Sequence, residues 1–168
     1  ATHRRILKQH MPSLLVVSTS PGAGKTAFAA SYATRLLEDG TSVSLGKAFG
    51  SASDGDATAM RELVLEAESI NPVEVHGTPS DDQIKQAAQV ISGAESGVIS
   101  IVEGLSGNHT ANRALADELD ASVVLIAGQS DYKIAVEVAS TYGDRLAGVV
   151  INNAPKHQGH DLDSEVIP

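Results

Sequence analysis

The sequence STSPGAGKT, residues 18–26, decides how the rest of the chain is interpreted. It follows the apolar run Leu14–Val17 and precedes Thr26–Glu38, where apolar residues recur at helical spacing without an interior proline. A loop of small residues that joins a buried strand to a helix and ends in Gly-Lys-Thr is typical of a phosphate-binding loop. The segment therefore predicts a site for the phosphates of a nucleotide.

This loop contains the residue types that phosphate binding needs. Gly22 and Gly24 let the backbone curl so that successive N–H groups face phosphate oxygens, and the following helix directs its positive end to the same place. Lys25 is predicted to reach the β- and γ-phosphates as a catalytic residue, and the Thr26 hydroxyl is predicted to bind Mg²⁺. The predicted nucleotide-binding residues of the loop are Thr19, Ser20, Gly22, Ala23, Gly24, Lys25 and Thr26.

The loop also departs from the usual motif at one position. Thr19 stands where the motif normally begins with glycine, and a glycine-rich turn with an exposed lysine would share part of the pattern. A dinucleotide site is disfavoured because the turn lacks Gly-x-Gly-x-x-Gly. We therefore expect a nucleoside triphosphate and not NAD as the ligand.

The remaining chain alternates apolar runs with amphipathic stretches. The predicted strands are Leu14–Val17, Val43–Leu45, Val98–Val102, Val123–Ile126 and Val149–Ile151. The predicted helices are Thr26–Glu38, Ala57–Glu68, Asp81–Ile91, Ala111–Leu119 and Asp131–Tyr142. Because strands without polar alternation are covered on both faces, the pattern predicts an α/β domain of three layers with a mostly parallel central sheet, as in P-loop NTPases.

Composition narrows the classes of partner. The 168 residues carry a formal charge of -9 and only 3% are aromatic, so we expect neither a nucleic-acid partner nor an aromatic stacking surface. The absence of cysteine excludes disulfides, thiolate metal sites and thiol nucleophiles. No apolar run approaches the roughly 20 residues that cross a bilayer, so we expect a cytoplasmic protein without a membrane partner.

The chain divides into a polar lead-in, residues 1–12, and one predicted nucleotide-binding domain, residues 13–168. From Asn152 to Pro168 it continues without a further predicted strand, although a domain of this type often closes with another strand. We therefore expect the sequence to be part of a longer chain, truncated at its C-terminus.

Acidic residues follow two of the predicted strands. Asp56 lies after the second strand, and Glu103 ends the third. Because the carboxyl ends of parallel strands meet at one edge and Mg²⁺ prefers oxygen ligands, we predict that Thr26, Asp56 and Glu103 bind the metal. The alternatives are a helix N-cap for Asp56 and a solvated loop acid for Glu103.

Five segments together resemble the dethiobiotin synthetase-like branch of P-loop proteins, which includes cobyrinic acid a,c-diamide synthase and the N-terminal domain of some phosphotransacetylases. In chain order they are Thr19–Thr26, Lys47–Ser51, Asp56–Ala57, Val102–Gly107 and Gly148–Asn152. Dethiobiotin synthetase also has threonine where Thr19 stands, whereas partition and septum-site ATPases carry an additional lysine at the position of Ser20. The resemblance implies ATP and Mg²⁺ as ligands, and often a homodimer.

Further roles are implied by this resemblance alone. Lys47 matches a second catalytic lysine that faces the substrate carboxylate or carbamate, although Ala48 replaces the proline of the family. Asn152 matches an asparagine that recognises adenine. A solvated loop lysine and a turn-forming asparagine are the alternatives for these two positions, and the neighbouring Asn153 is a second candidate for the base.

Two functions follow from the resemblance. The first is an ATP-dependent carbon–nitrogen ligase, in which ATP activates a carboxylate or carbamate of an unidentified small molecule for attack by an amine. The second is a regulatory ATP-binding domain of a larger protein, such as a phosphotransacetylase-like chain. The unusual segment Lys47–Phe49 favours regulation, and the phosphate loop itself fits both.

Overall fold

The computed structural model describes residues 13–51 and 55–152, without the side chains of residues 56 and 57. The predicted lead-in at residues 1–12, the candidate Asn153 and the segment that follows it lie outside the described residues. The strands are β1 (Ser13–Ser18), β2 (Val43–Lys47), β3 (Phe49–Gly50), β4 (Glu68–Ile70), β5 (Val73–Glu74), β6 (Ile99–Ser106), β7 (Ser122–Gly128) and β8 (Leu146–Asn152). The helices are α1 (Lys25–Glu38), α2 (Gly55–Leu63), α3 (Asp81–Ser92), α4 (His109–Leu119) and α5 (Tyr132–Tyr142).

Six of these strands form one parallel sheet in the order β4-β2-β6-β1-β7-β8, and β3 pairs with β5 in a separate two-stranded sheet. The phosphate-loop strand β1 lies near the centre, with β6 on one side and β7 on the other. The carboxyl ends of the six strands therefore meet at one edge, as expected for a parallel sheet with helical crossovers.

Helices cover both faces of the large sheet, and the alternation of side chains along β1 divides the core between them. Leu15 and Val17 pack with buried residues of α3, α4 and α5, whereas Val16 packs with Ala29 of α1 and Met60 of α2. All three β1 residues have no exposed surface. The predicted three-layer α/β architecture with a mostly parallel sheet is thus confirmed.

The C-terminal boundary predicted for the second helix was wrong. Helix α2 ends at Leu63 and not at Glu68, because Glu68–Ile70 extends the sheet by pairing with β2. Leu65, which lies in the part of the predicted helix beyond Leu63, is 85% exposed. The sequence also missed β3, β4 and β5, which have only two or three residues each, too few for periodicity to identify a strand.

Across the residues that the structure describes, no helix combines the length and the apolar character needed to span a bilayer.

Candidate functional site: the phosphate loop

The backbone of the phosphate loop requires glycine at two of its positions. Gly22 and Gly24 have φ angles of +75° and +108°, a region that side chains rarely adopt. A Cβ at Gly24 would also lie 2.3 Å from the side-chain nitrogen of Asn152, so a larger residue would collide there. The loop thus keeps the curled form that directs N–H groups towards a bound anion.

Lys25 follows the loop as the first residue of α1. Its Nζ donates to Ser18 Oγ at 3.1 Å and also to Ser106 Oγ, which lies at the end of β6. Ser106 was missed by the sequence reasoning, although it lies in the Val102–Gly107 segment of the resemblance. The lysine ammonium therefore stands between the ends of β1 and β6, beside the loop.

Thr26 and Glu103 meet although 77 residues separate them. The Thr26 hydroxyl lies 3.1 and 3.0 Å from the two carboxylate oxygens of Glu103, to which it donates. Glu103 is only 2% exposed, so a carboxylate is buried within β6, which continues to Ser106 and not only to the predicted strand end at Val102. These are the hard oxygen donors that Mg²⁺ prefers, and they fit this ion.

Among the side chains that the structure describes, which do not include that of Asp56, no cluster of three or more His, Cys, Asp or Glu residues that could hold a metal occurs. Mg²⁺ at a nucleotide usually takes one or two protein ligands and completes its shell with phosphate and water. Asp56, the third predicted ligand, belongs to α2, but its side chain is outside the described residues.

Lys47 is brought to the same place by the sheet. It ends β2 and is the register partner of Glu103 on β6. Both line a cavity of about 650 Å³ at the carboxyl edge of the sheet. The cavity is lined by Pro21, Gly22, Gly24, Lys25, Thr26, Ala27, Lys47, Phe49, Gly50, Ser51, Val75, Gly77, Glu103, Gly104, Leu105 and Ser106. Two lysines, one buried glutamate and the phosphate loop therefore share one cavity.

Thr19 and Ser20 make contacts that the sequence did not predict. Their hydroxyls donate to the same carboxylate oxygen of Asp131, over 3.0 and 2.9 Å. The backbone N–H of Thr19 donates to Ile126 O at 3.1 Å, so Thr19 directs neither donor into the larger cavity. Sequence periodicity identified Asp131 only as the start of a helix, so nothing marked it as a partner of the loop.

Asn152 ends β8 and reaches the far end of the loop. Its Nδ2 donates to the carbonyl oxygen of Ala23 at 3.0 Å. The loop is thus held by Asp131 at its entry and by Asn152 near its exit, from the ends of β7 and β8. The residue predicted to recognise adenine thus lies beside the loop, with one of its two amide N–H groups bonded to Ala23 O.

A buried polar network supports the end of β6. The side chain of Asn112, which has no exposed surface, accepts from Leu105 N–H and donates to Leu105 C=O, both at 2.8 Å. A Cβ at Gly104 would lie 2.6 Å from the Asn112 oxygen, so glycine permits this approach. The bonds fix the strand segment that continues into Ser106.

The fully buried Tyr142 is hydrogen-bonded to His109, the first residue of α4. Burial raises the pKa of the Tyr142 hydroxyl, and burial lowers the pKa of His109, so both side chains are neutral near pH 7. A neutral imidazole can accept at Nδ1, which lies 2.6 Å from the tyrosine oxygen. One hydrogen bond therefore joins the tyrosine hydroxyl to the histidine, and its donor is set by the imidazole tautomer.

Comparisons with known proteins bear on the fold. No protein-family model matches the sequence, and the curated proteins give no significant match. Among solved structures, the signal recognition particle 54 kDa protein from Aeropyrum pernix K1 in complex with GDP matches with a TM-score of 0.61. Identity is 19%, over 88% of this chain and 36% of that chain. The 168-residue chain therefore has the P-loop NTPase fold.

Two further structures with this P-loop fold agree. The signal recognition particle receptor FtsY from Elizabethkingia anophelis in complex with GDP has a TM-score of 0.60 at 17% identity, over 85% of this chain and 49% of that chain. The FtsY protein from Thermotoga maritima has a TM-score of 0.61 at 15% identity, over 86% and 53% respectively. The chain thus spans between about a third and half of these structures.

These matches confirm the fold that the sequence predicted, while the narrower resemblance to dethiobiotin synthetase is not borne out by them specifically. At 15–19% identity the likeness concerns the fold alone. The identity of the nucleotide and of any second substrate must therefore be argued from the residues of this chain.

Proposed function

We propose that this protein binds a nucleoside triphosphate together with Mg²⁺ at the phosphate loop. The observation that carries the proposal is the contact between the Thr26 hydroxyl and the buried Glu103 carboxylate, next to Lys25 and the curled loop. A buried carboxylate is costly unless charge and hydrogen bonds compensate it, and a site for Mg²⁺ accounts for its position.

Each residue of the loop has a defined task in this proposal. The backbone N–H groups between Gly22 and Lys25 bind phosphate oxygens at the positive end of α1. The ammonium of Lys25 exchanges its hydroxyl partners Ser18 and Ser106 for phosphate oxygens, which form stronger charge-assisted bonds. Bound Mg²⁺ would neutralise part of the phosphate charge.

We infer that the nucleotide is ATP, and the argument rests on Asn152. One N–H of its Nδ2 donates to Ala23 O, which leaves a second N–H and the carbonyl oxygen Oδ1 for a ligand. This pair of a donor and an acceptor suits N7 and the exocyclic amine of adenine, whereas N7 and O6 of guanine are both acceptors. The GDP in two of the matching structures makes guanine nucleotides the necessary comparison.

We further infer an ATP-dependent ligase, of the dethiobiotin synthetase or cobyrinic acid a,c-diamide synthase kind. Lys47 supports this because it lines the same cavity as Lys25, beyond Glu103, where Phe49 and Val75 add apolar surface. The cavity of about 650 Å³ has room for a small carboxylate or carbamate next to the terminal phosphate.

The reaction needs little from the protein beyond positioning. The γ-phosphoryl group passes from ATP to a substrate oxygen, which leaves ADP and a mixed anhydride. An amine then attacks the activated carbonyl, phosphate departs, and the nitrogen loses a proton. Lys25 stabilises the transferred phosphoryl group, and Lys47 holds the acceptor oxygen as its charge changes.

Calorimetric titration with ATP and GTP, each with Mg²⁺ and with excess EDTA, tests the proposed binding. We expect Mg²⁺-dependent binding with ATP preferred over GTP. Binding of neither nucleotide would contradict the site itself, whereas a preference for GTP would contradict only the role of Asn152.

Steady-state hydrolysis with diamines, corrinoid acids and no added acceptor tests the ligase. Stimulation of ATP turnover by one acceptor supports ligase chemistry. Tight ATP binding with negligible turnover under all these conditions would contradict it and favour the regulatory alternative.

A further inference from the structure

Two cavities flank the phosphate loop. One is the cavity of about 650 Å³ that contains Lys25, and the other, of about 370 Å³, is lined by Ser20–Ala23 and Gly128–Asp131. Pro21 and Gly22 line both cavities, and no atom lies within 4 Å of a Cβ built at Gly22. Packing therefore contributes little at Gly22, although Ala23 is buried in the core, and hydrogen bonds hold the start of the loop.

Asp131 provides two of those hydrogen bonds. Thr19 and Ser20 donate their hydroxyls to a single oxygen of its carboxylate, Oδ2, over 3.0 and 2.9 Å. Hydrogen bonds to an ionised acceptor are about twice as strong as those between neutral groups. The carboxylate thus ties the loop to the segment after β7, more than 100 residues along the chain.

The ordinary task of an aspartate in this place is to cap a helix. Asp131 directly precedes α5, where a carboxylate often accepts from the first N–H groups of the helix. Asp131 makes no such bond to α5, and its carboxylate is directed at the loop. A purely local role in α5 therefore does not account for its position.

We propose that Asp131 is a positioning residue of the nucleotide site, whose carboxylate holds Thr19 and Ser20 so that the loop keeps its phosphate-binding conformation. Asp131 does not line the larger cavity, so it acts through the loop and not on the nucleotide. The proposal rests on the proposed function, because both concern the same loop. Without the carboxylate, a nucleotide would have to order the loop on binding, and its affinity would fall by that cost.

Hydrogen–deuterium exchange of the whole chain without nucleotide gives the first test. We expect Asp131→Ala to speed exchange across residues 19–24, and Asp131→Asn, which keeps an accepting oxygen, to restore protection. The matched control is Asp144→Ala, an exposed aspartate that follows the other end of α5. The double substitution Thr19→Val/Ser20→Ala should reproduce the effect, and adding Asp131→Ala to it should change nothing more.

ATP affinity measured by calorimetry gives the second test. We expect Asp131→Ala to bind roughly tenfold more weakly, Asp131→Asn to bind within about threefold of the wild type, and Asp144→Ala to be unchanged. Wild-type exchange and affinity in Asp131→Ala would overturn the proposal.

These outcomes separate the proposal from the proposed function. Failure of the wild type to bind any nucleotide contradicts the proposed function, while the exchange experiment, which contains no nucleotide, still tests the role of Asp131. If Asp131→Ala does not fold, the Thr19→Val/Ser20→Ala chain tests the same bonds from the loop side.

Discussion

The Thr26 hydroxyl donates a hydrogen bond to the carboxylate of Glu103, which is only 2% exposed. The two residues come from the start of α1 and from within β6, and the parallel pairing of β1 with β6 brings them together. One pairing in the sheet thus creates the oxygen pair on which the proposed Mg²⁺ site depends.

Glu103→Gln should remove the Mg²⁺ dependence of nucleotide binding, because the amide keeps the shape but loses the charge that attracts the ion. We expect ATP affinity in Mg²⁺ to fall between about tenfold and a hundredfold, as for the loss of a charged hydrogen-bonding partner. Calorimetric titrations with ATP, in Mg²⁺ and in excess EDTA, measure this dependence. Glu118→Gln, an exposed glutamate of α4, is the control. Undiminished Mg²⁺ dependence in Glu103→Gln would exclude Glu103 from the metal site.

Gly24→Ala should impair both the loop and the site. The left-handed backbone costs an alanine about 1–2 kcal/mol, and the new Cβ would lie 2.3 Å from the Asn152 nitrogen, so that residue must move. We expect at least tenfold weaker ATP binding in calorimetry. Gly148→Ala, on β8 where no atom lies within 4 Å of the new Cβ, should bind as the wild type does. Equal affinities in the two variants would refute the steric argument.

Asn112→Ala should destabilise the fold. The change leaves the backbone groups of Leu105 without their side-chain partner inside the protein. Unfolding in urea should show a free energy of unfolding lower by about 2–4 kcal/mol. Gln89→Ala, on the exposed surface of α3, should change it little. A similar small effect in Asn112→Ala would mean that the network carries little of the stability.

Acidification should weaken the fold through His109. Burial places the folded pKa of His109 below its ordinary value of 6.5, so below pH 6.5 the unfolded chain binds this proton more readily than the folded one. The contribution is therefore complete above pH 6.5 and is lost as pH falls towards the folded pKa. The free energy of unfolding should decline more steeply between pH 7.5 and 5 in the wild type than in His109→Gln. Parallel pH profiles would contradict this assignment.

The sequence predicted the central features of the fold because the phosphate loop and the apolar strands are local patterns. Long strands such as β1 and β7 have enough Val, Ile and Leu to be recognised, whereas β4 depends on pairing with β2 and carries no signal of its own. Its absence from the prediction is what allowed α2 to be extended too far.

The site was predictable only where a motif marks it. Lys25 and Thr26 belong to a known pattern, and Glu103 was identified because it follows an apolar run, although β6 continues past it to Ser106. Asp131, after β7, and Ser106, at the end of β6, approach the loop from parts of the chain distant in sequence, and a single aspartate or serine gives no sign of such a contact. Only the order of strands in the sheet brings these residues together.

The most direct test of the account is the affinity of Lys25→Ala for Mg²⁺–ATP, measured by calorimetry beside Lys133→Ala, an exposed lysine on α5. Loss of the ammonium next to the phosphates should weaken binding by roughly a hundredfold, equivalent to about 2.7 kcal/mol, while Lys133→Ala binds as the wild type does. Unchanged ATP affinity in a folded Lys25→Ala protein would contradict the phosphate-loop site on which the proposed function depends.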